Sequence, residues 1–192
     1  MNLVAGLRSA LLLSVFVVSS TSHADNAFYI KGGLTKLMDN SQTLDSTPRT
    51  LDDAGAGTYG FLFEHRLRRN IALGVEYFSY NMDFLPPDTT GHGVATTRTV
   101  QFIAKKYFGE RMFRPYFGVG IGIAHTSVDY GSGSWEDDDI GVAGQVALGF
   151  ELRFEELGLQ VEAKRQFSDM GTSNSGYDPS AAGVFVGIGF NW

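Results

Sequence analysis

The sequence predicts an all-β fold, an eight-stranded antiparallel up-and-down transmembrane β-barrel, and three observations support this prediction. Eight segments alternate apolar and polar residues with the period of two that is typical of β-strands. The links between these segments alternate long and short, as expected when hairpins open on opposite sides of a membrane. The final residues, 184–192, place an apolar side chain at every second position. An apolar face of this kind suits a barrel wall in lipid better than the edge of a soluble sheet.

Each predicted strand is long enough to cross the hydrocarbon, because about ten residues suffice when a strand is tilted by about 45°. Within the fifth segment Phe117, Val119 and Ile121 face outward, and the glycines between them face inward. The 24 glycines and the 13% of aromatic residues suit a tightly curved wall with aromatic belts. The predicted strands are 28–35, 58–66, 71–80, 98–108, 115–127, 140–154, 157–167 and a last strand after residue 180.

The links between the predicted strands place the two ends of the barrel. Residues 67–70, 109–114 and 155–156 form short turns, whereas the other four links are long and polar. The third long link is 128–139 and the fourth is 168–180. In an up-and-down barrel both termini lie beside the short turns, so the long links face the outside of the cell.

The N-terminal residues have the three parts of a cleaved export signal. Arg8 supplies positive charge, residues 10–18 form an apolar segment, and residues 22–24 end in a small-x-small cleavage site. The apolar segment is too short to span about 30 Å of hydrocarbon as a helix. We therefore predict that residues 1–24 are a signal peptide for the Sec pathway and that residues 25–192 form one barrel domain.

Composition excludes several classes of function. The chain has no cysteine, which excludes disulfide scaffolds, thiol catalysis and cysteine metal sites. Its formal charge is −6 and loss of Arg8 makes it more acidic, so a nucleic-acid partner is not expected. His65 and His92 are isolated, and the glycines after Pro115 have strand spacing rather than phosphate-loop spacing. We expect no cofactor and no metal site.

Three motifs resemble the small outer-membrane barrels, a family that includes the OmpA membrane domain, OmpX and Ail, and the opacity-type surface proteins. The opening residues 28–33 are similar to the aromatic-Tyr-x-x-Gly start of many members. Residues 114–122 resemble their Pro-Tyr-x-Gly-x-Gly-x-Gly strand. Gly187, Phe190 and Trp192 resemble the C-terminal signal that the outer-membrane assembly machinery binds, although the family favours a final Phe. The resemblance implies a monomer in the outer membrane of a Gram-negative bacterium, in contact with lipid and lipopolysaccharide.

Charged residues occupy inward positions of the predicted strands, where unpaired charges would be costly. Lys31 is expected beside Glu64 and Glu76 beside Lys105, and two further pairs are spaced i, i+2 on one strand face. Since eight strands leave no wide bore, these residues are predicted to fill the interior as a polar core. The alternative is a small gated pore, as the resemblance to OmpA-like barrels implies. The predicted interior residues are Lys31, Glu64, Glu76, Lys105, Glu151, Arg153, Glu162 and Lys164.

One segment suggests chemistry. His125 and Ser127 share an outward face near the outer rim, and Asp137 or Asp139 lies across the next link. A His-x-Ser pair with an acid resembles the site of lipid A deacylase barrels, in which His acts as the base for Ser. That family carries the pair much closer to its C-terminus, so catalysis is the less favoured hypothesis. The acidic run 135–139 lacks the spacing of an EF-hand and is expected to be a solvated loop.

The function that these observations favour is a non-catalytic surface protein with a structural, adhesion or interaction role. Its resemblance to Ail and the opacity proteins implies that the loops contact a host or cell-surface ligand. A soluble lipocalin-like barrel is a further alternative, but it needs an apolar interior, whereas the charged residues here lie on the face opposite the aromatic residues.

Lys106 and Arg165 face outward near opposite rims, where Arg165 is placed to meet lipopolysaccharide phosphates. The loop residues expected to contact a ligand are Tyr130, Trp135, Asp137 and Tyr177.

Overall fold

The computed structural model describes residues 26–37, 41–44, 47–50, 56–68, 70–84, 93–109, 112–129, 136–169 and 180–192. The predicted signal peptide, 1–24, lies outside these residues. Ten strands are present in the described part of the chain, and eight of them form the barrel. The strands are β1 (Asn26–Leu37), β2 (Ser41–Leu44), β3 (Thr47–Thr50), β4 (Ala56–Arg68), β5 (Ile71–Phe84), β6 (Gly93–Tyr107), β7 (Phe113–Asp129), β8 (Glu136–Phe154), β9 (Leu157–Asp169) and β10 (Ala181–Asn191).

The barrel is closed and antiparallel throughout, with the strand order β1-β10-β9-β8-β7-β6-β5-β4. Consecutive strands pair along the sheet, and the last strand returns to the first. At this seam the backbone N–H of Asn26 donates to the carbonyl of Trp192 at 2.8 Å, and the N–H of Trp192 donates back at 3.0 Å. The predicted eight-stranded up-and-down barrel is therefore confirmed, and it has no open sheet edge.

Along the eight barrel strands, the described side chains alternate between a largely apolar exterior and a largely polar lumen. On β10 the outward Val184, Val186 and Ile188 are 50–66% exposed, whereas the inward Phe185 is 1% exposed. Outward aromatic rings gather near the chain termini, where Phe190 stacks on Trp192 at 6.1 Å between ring centroids. A second group, Tyr59 and Tyr77, lies nearer the loop end at 6.3 Å. These rings match the aromatic belts by which barrels meet the two membrane interfaces.

The structure differs from the prediction in the first and third long links. The first contains a two-stranded hairpin, β2 with β3, for which the alternating pattern gave no signal because the segment is polar on both faces. The third is much shorter than 128–139, because β7 extends to Asp129 and β8 begins at Glu136. Backbone pairing needs no apolar side chains, so strands continue above the lipid as a polar ladder.

Two of the short turns lie within the predicted 67–70 and 155–156, whereas the predicted turn 109–114 ends earlier because β7 begins at Phe113. One turn places a residue in an unfavourable conformation. Glu155, between β8 and β9, has φ 51°, in the left-handed region. Gly109, after β6, has φ 104°, which glycine adopts without a steric penalty. None of the described residues belongs to a helix long and apolar enough to cross a membrane.

Candidate functional site: the charged lumen

The middle of the lumen holds four ionised side chains that contact one another across the barrel. Lys31 Nζ lies 2.8 Å from Glu76 Oε1 and 3.1 Å from Glu162 Oε1. Lys164 Nζ bridges the same two carboxylates, at 2.7 Å from Glu76 Oε2 and 3.1 Å from Glu162 Oε1. Gln145 donates a further hydrogen bond to Glu76 at 2.6 Å. Each lysine therefore meets two carboxylates, and these contacts offset the cost of burying all four charges.

A second cluster lies nearer the short turns and is centred on Lys105. Lys105 Nζ donates to Gln160 Oε1 at 3.1 Å and lies 3.4 Å from Glu64 Oε1. The ammonium also lies 4.4 Å from the centroid of the Tyr116 ring. The Tyr116 hydroxyl donates to Glu162 at 2.8 Å, which links this cluster to the four central charges. Neutral tyrosine and glutamine side chains thus complete the bonding of the buried carboxylates.

A third cluster closes the end of the lumen beside the chain termini. Arg66 Nη2 lies 2.8 Å from Glu151 Oε1, and Arg114 Nη1 lies 3.6 Å from Glu151 Oε2. The Tyr29 hydroxyl donates to the same carboxylate at 2.7 Å. Both guanidinium groups also lie over the Tyr107 ring, at 5.4 Å for Arg66 and 4.7 Å for Arg114. Glu151, which is 0% exposed, holds two arginines at this mouth.

Above the central charges, aromatic rings and hydroxyl groups line the described part of the lumen. Phe78 and Phe185 pack edge to face, with ring centroids 4.8 Å apart, and Lys164 lies 4.7 Å from the Phe78 centroid. Hydroxyl pairs follow towards the loops: Thr35 with Thr58 at 2.5 Å and Thr97 with Thr126 at 3.0 Å. The aromatic pair therefore separates the ionised lumen from the polar loop end.

Seven of the eight residues predicted for the interior lie there with at most 4% exposure: Lys31, Glu64, Glu76, Lys105, Glu151, Glu162 and Lys164. Arg153 does not join them, because it is half-buried at the β8–β9 turn and its Nε donates to the Glu155 carbonyl at 3.4 Å. The predicted pairing also changes, since Lys31 reaches Glu76 and Glu162 while Glu64 pairs with Lys105. Of the two i, i+2 pairs, Glu162 with Lys164 is present.

Sequence reasoning missed Arg66 and Arg114 as interior residues, although each left a signal. Arg66 follows Glu64 at the inward spacing on β4, so continued alternation identifies it. The sequence predicts Arg114 in a turn, but β7 begins at Phe113. Arg114 is therefore the second residue of this strand, and it is buried in the lumen. The tyrosines that bond the carboxylates were also missed, because an inward tyrosine looks like any other aromatic strand residue.

The candidate catalytic residues do not assemble into a site in the described part of the chain. His125 and Ser127 lie on the outward face of β7, opposite Ile140 and Asp138 in register. Asp139 alternates with the lumen-facing residues of β8, and its Oδ1 accepts the backbone N–H of Ile140 at 2.8 Å. It therefore lies on the other face of the wall from His125. The side chain of Asp137 lies outside the described residues.

The loop candidates Tyr130, Trp135 and Tyr177, together with His92, lie outside the described residues. His65 is described, and its Nδ1 lies 2.9 Å from Asn26 Oδ1 at the terminal end of the barrel. No group of three or more His, Cys, Asp and Glu that could hold a metal is found among the residues that the structure describes. The residues proposed as an assembly signal line the seam strand: Gly187 faces the lumen beside Lys31, and Phe190 and Trp192 are exposed outward.

A closed eight-stranded wall with an apolar exterior, aromatic belts and a charged, filled lumen defines the class of small outer-membrane β-barrels. Residues 9–190 match the family model described as outer membrane protein beta-barrel domain, and the chain belongs to this family. Membership implies the outer membrane of a Gram-negative bacterium. No curated protein sequence matches the chain.

Solved structures show the same fold at low sequence identity. Neisserial surface protein A is 12% identical, with a TM-score of 0.59 over 90% of this chain and 98% of that chain. Ail of Yersinia pestis, in complex with the heparin analogue sucrose octasulfate, is 9% identical, with a TM-score of 0.56 over 89% and 100%. OprG of Pseudomonas aeruginosa is 17% identical, with a TM-score of 0.52 over 89% and 98%.

Proposed function

We propose that this protein is a non-catalytic outer-membrane barrel that holds its four long links at the cell surface for interaction with a partner. The observation that carries this proposal is the filled lumen. Side chains from strands that are not neighbours in the sheet bond one another at three levels, so the barrel supports its loops rather than enclosing a substrate. The working surface is then the loop end, where β7 and β8 continue as a polar hairpin.

Charge at the loop end indicates the chemistry of the partner. Residues 37–56, 81–95, 127–141 and 167–182 contain thirteen carboxylates and a single arginine, Arg49. A surface of this sign attracts basic groups and repels polyanions. Ail binds a sulfated heparin analogue, but the acidic links favour a cationic partner here, such as the basic face of a host protein. Tyr130, Trp135 and Tyr177 would add aromatic contacts to this charge.

The experiment compares folded variants in zwitterionic nanodiscs. A fluorescent decalysine peptide is the probe for a cationic partner, and heparin is the probe for a polyanion. We expect decalysine to bind the native protein. Decalysine binding should weaken about tenfold when Asp137, Asp138 and Asp139 become Asn. The three lost ionic contacts would then together account for about 1.4 kcal/mol of binding free energy. Replacing Glu155 and Glu156 by Gln, at the opposite end of the barrel, is the matched control.

Each variant is first tested for a mobility shift between unheated and boiled gel samples, because only a closed barrel keeps this shift. Heparin binding, or decalysine binding that is insensitive to the three Asn substitutions, would refute a cationic partner. Replacement of 130–135 by a short Gly-Ser turn tests the combined contribution of Tyr130 and Trp135. A lipid A deacylase is tested separately, since expression of the native protein would then change the mass of lipid A and Ser127→Ala would abolish the change.

The remaining features of this proposal concern export and assembly. We propose that residues 1–24 are removed after Sec-dependent export and that 25–192 inserts as a monomer. Gly187, Phe190 and Trp192 would be recognised by the outer-membrane assembly machinery. The exposed stack of Phe190 on Trp192 at the terminal end of the barrel supports this role.

A further inference from the structure

Uncharged polar side chains gather in the lumen beside the central charges, towards the loop end. Thr99 and Gln101 of β6 and Gln166 of β9 face inward, and each is at most 2% exposed. Both amide atoms of the two glutamines and the Thr99 hydroxyl are buried without a hydrogen-bond partner among the residues that the structure describes. Because buried polar atoms are rarely left unpaired, these five atoms indicate a site for a molecule that bonds them.

The wall between the two glutamines is built from small residues. In register, Gln101 lies opposite Gly122 of β7, and Gly122 lies opposite Ala143 of β8. Ala124, the next inward residue of β7, and Ala143 are both 0% exposed and belong to one buried cluster. Strands β6 and β9 are three strand spacings apart, about 14 Å along the wall. Glycine and alanine leave room across this width, and we name this space the amide chamber. Its lining residues are Thr99, Gln101, Ala124, Ala143 and Gln166.

The groups around the amide chamber are neutral or already bonded. Gln145 of β8 lies opposite Gln166 in register and donates to Glu76 at 2.6 Å, so it stands between the chamber and the central charges. On β1 and β4, across the lumen from β7 and β8, the hydroxyls of Thr35 and Thr58 bond each other at 2.5 Å. A glutamine amide offers donors and an acceptor but no charge. This lining therefore suits an uncharged molecule that both donates and accepts hydrogen bonds, because an ion would lose its hydration without gaining a counter-charge.

We propose that the amide chamber binds small uncharged molecules that both donate and accept hydrogen bonds, held between Gln101 and Gln166. Water has this chemistry, and so does a primary amide or a short polyol from the medium. The chamber ends on the bonded side chains below it, so it is a pocket and not a passage across the membrane. The site is independent of any partner of the loops, because its lining residues belong to the barrel strands.

Selective labelling of glutamine with nitrogen-15 reads the site directly, because the chain has only five glutamines. Gln160 is the internal control, since its Nε2 donates to Glu64 at 3.1 Å in the lower lumen. For the folded protein in detergent, rotating-frame cross-relaxation detects water held at each side-chain amide, and titration with acetamide detects a solute. N,N-dimethylacetamide, which accepts hydrogen bonds but cannot donate them, is the comparison ligand. We expect water contacts or saturable acetamide shifts at Gln101 and Gln166, and neither at Gln160.

Substitutions test where the ligand is held. Ala143→Leu fills the amide chamber and should abolish the response at Gln101 and Gln166. Ala163→Leu, the same substitution on the exposed outward face of β9, should leave the response unchanged. Gln166→Met removes one amide at nearly constant volume, and it should weaken any acetamide binding seen at Gln101 about tenfold. The boiling-dependent gel shift shows that each variant is a closed barrel before it is measured.

The two sources of the ligand give different results. Saturable shifts with acetamide but not with N,N-dimethylacetamide would identify a solute, whereas water contacts that acetamide does not displace would identify solvent water. The site is overturned if Gln101 and Gln166 show neither water contacts nor shifts. An equal response at Gln160, or a native response in folded Ala143→Leu, would also overturn it.

Discussion

The ammonium of Lys31 and the carboxylate of Glu76 lie 2.8 Å apart in the lumen, although strand β4 separates their two strands. The other oxygen of this carboxylate lies 2.7 Å from Lys164 Nζ on β9. Glu76 thus joins three strands that share no backbone ladder with one another. Backbone hydrogen bonds connect each strand only to its two neighbours in the sheet. Glu76 adds side-chain connections between strands through the interior of the barrel.

Replacing Glu76 by Gln should destabilise the barrel substantially. The substitution leaves Lys31 and Lys164 with Glu162 as their shared anion, and one uncompensated charge remains buried. Breaking a buried pair from one side costs about 3–5 kcal/mol, and the remaining contacts to Glu162 place the expected loss near the lower value. Urea unfolding from phospholipid vesicles, followed by tryptophan fluorescence, measures the free energy of unfolding.

The matched control for Glu76 is Glu156→Gln, an isosteric change at an exposed turn residue. Its unfolding midpoint should equal that of the native protein. If Glu76→Gln leaves the midpoint unchanged as well, the central charges contribute nothing net to stability.

The sequence predicts which side chains of the wall face lipid and which face the lumen, because the two-residue alternation of a strand alone decides this. Phe117, Val119 and Ile121 face lipid as the alternation requires, and Glu76 and Lys164 face the lumen for the same reason. The partners inside the lumen were not predictable in the same way. Adjacent-strand reasoning places Lys31 beside Glu64, but the register places Lys31 opposite Gly60 and Glu64 opposite Ala27. The Lys31 side chain therefore crosses a glycine and reaches Glu76 on the next strand. The positions of the carboxylates depend in turn on the tyrosines that bond them, Tyr107 for Glu64 and Tyr116 for Glu162.

Glycines in the wall make room for these tyrosines, and Gly149 gives a direct test. Gly149 pairs with Tyr116 in register. A Cβ added to it would clash with the Val161 carbonyl oxygen and would lie 2.8 Å from the Tyr116 hydroxyl oxygen. Gly149→Ala should therefore push β8 away from β9 at Val161 and displace the Tyr116 ring, weakening its 2.8 Å hydrogen bond to Glu162. Overpacking of this kind costs about 1–3 kcal/mol. The measurement is the urea midpoint in vesicles.

Gly144→Ala on the same strand is the control for Gly149→Ala, because its added Cβ would have the Gly120 carbonyl oxygen as its nearest neighbour, at 3.7 Å. It should be neutral. Equal effects of the two substitutions would mean that loss of backbone flexibility, and not contact of the new methyl with Val161 and Tyr116, decides the outcome.

Glu155→Asn should stabilise the protein. Glu155 has φ 51°, a conformation that costs most residues about 1–2 kcal/mol and that Asn adopts more readily. We expect a gain of about 1 kcal/mol in the free energy of unfolding. Glu156→Asn, one residue later, should give no gain, and a gain of similar size there would attribute the effect to lost charge instead.

Phe190→Ala should reduce assembly in cells more than it reduces stability. Phe190 is 45% exposed and stacks on Trp192, so its removal costs little packing. The expected result is a smaller heat-modifiable fraction in the outer membrane, together with near-native refolding in detergent. Phe154→Ala, at an exposed ring near the same end, should leave both quantities unchanged. Parallel losses in the two assays would assign Phe190 to stability alone.

Lys105→Ala should open a small cation path through a lumen that is otherwise closed. Lys105 lies 3.4 Å from Glu64 and 3.9 Å from Glu162, and its removal leaves both carboxylates facing the space that its side chain filled. In planar bilayers we expect no current steps from the native protein and cation-selective steps from the variant. Arg98→Ala, which removes an outward cation, should remain silent. Current steps from the native protein would instead support the gated pore. They would mean that the bonded side chains in the lumen rearrange at low energetic cost.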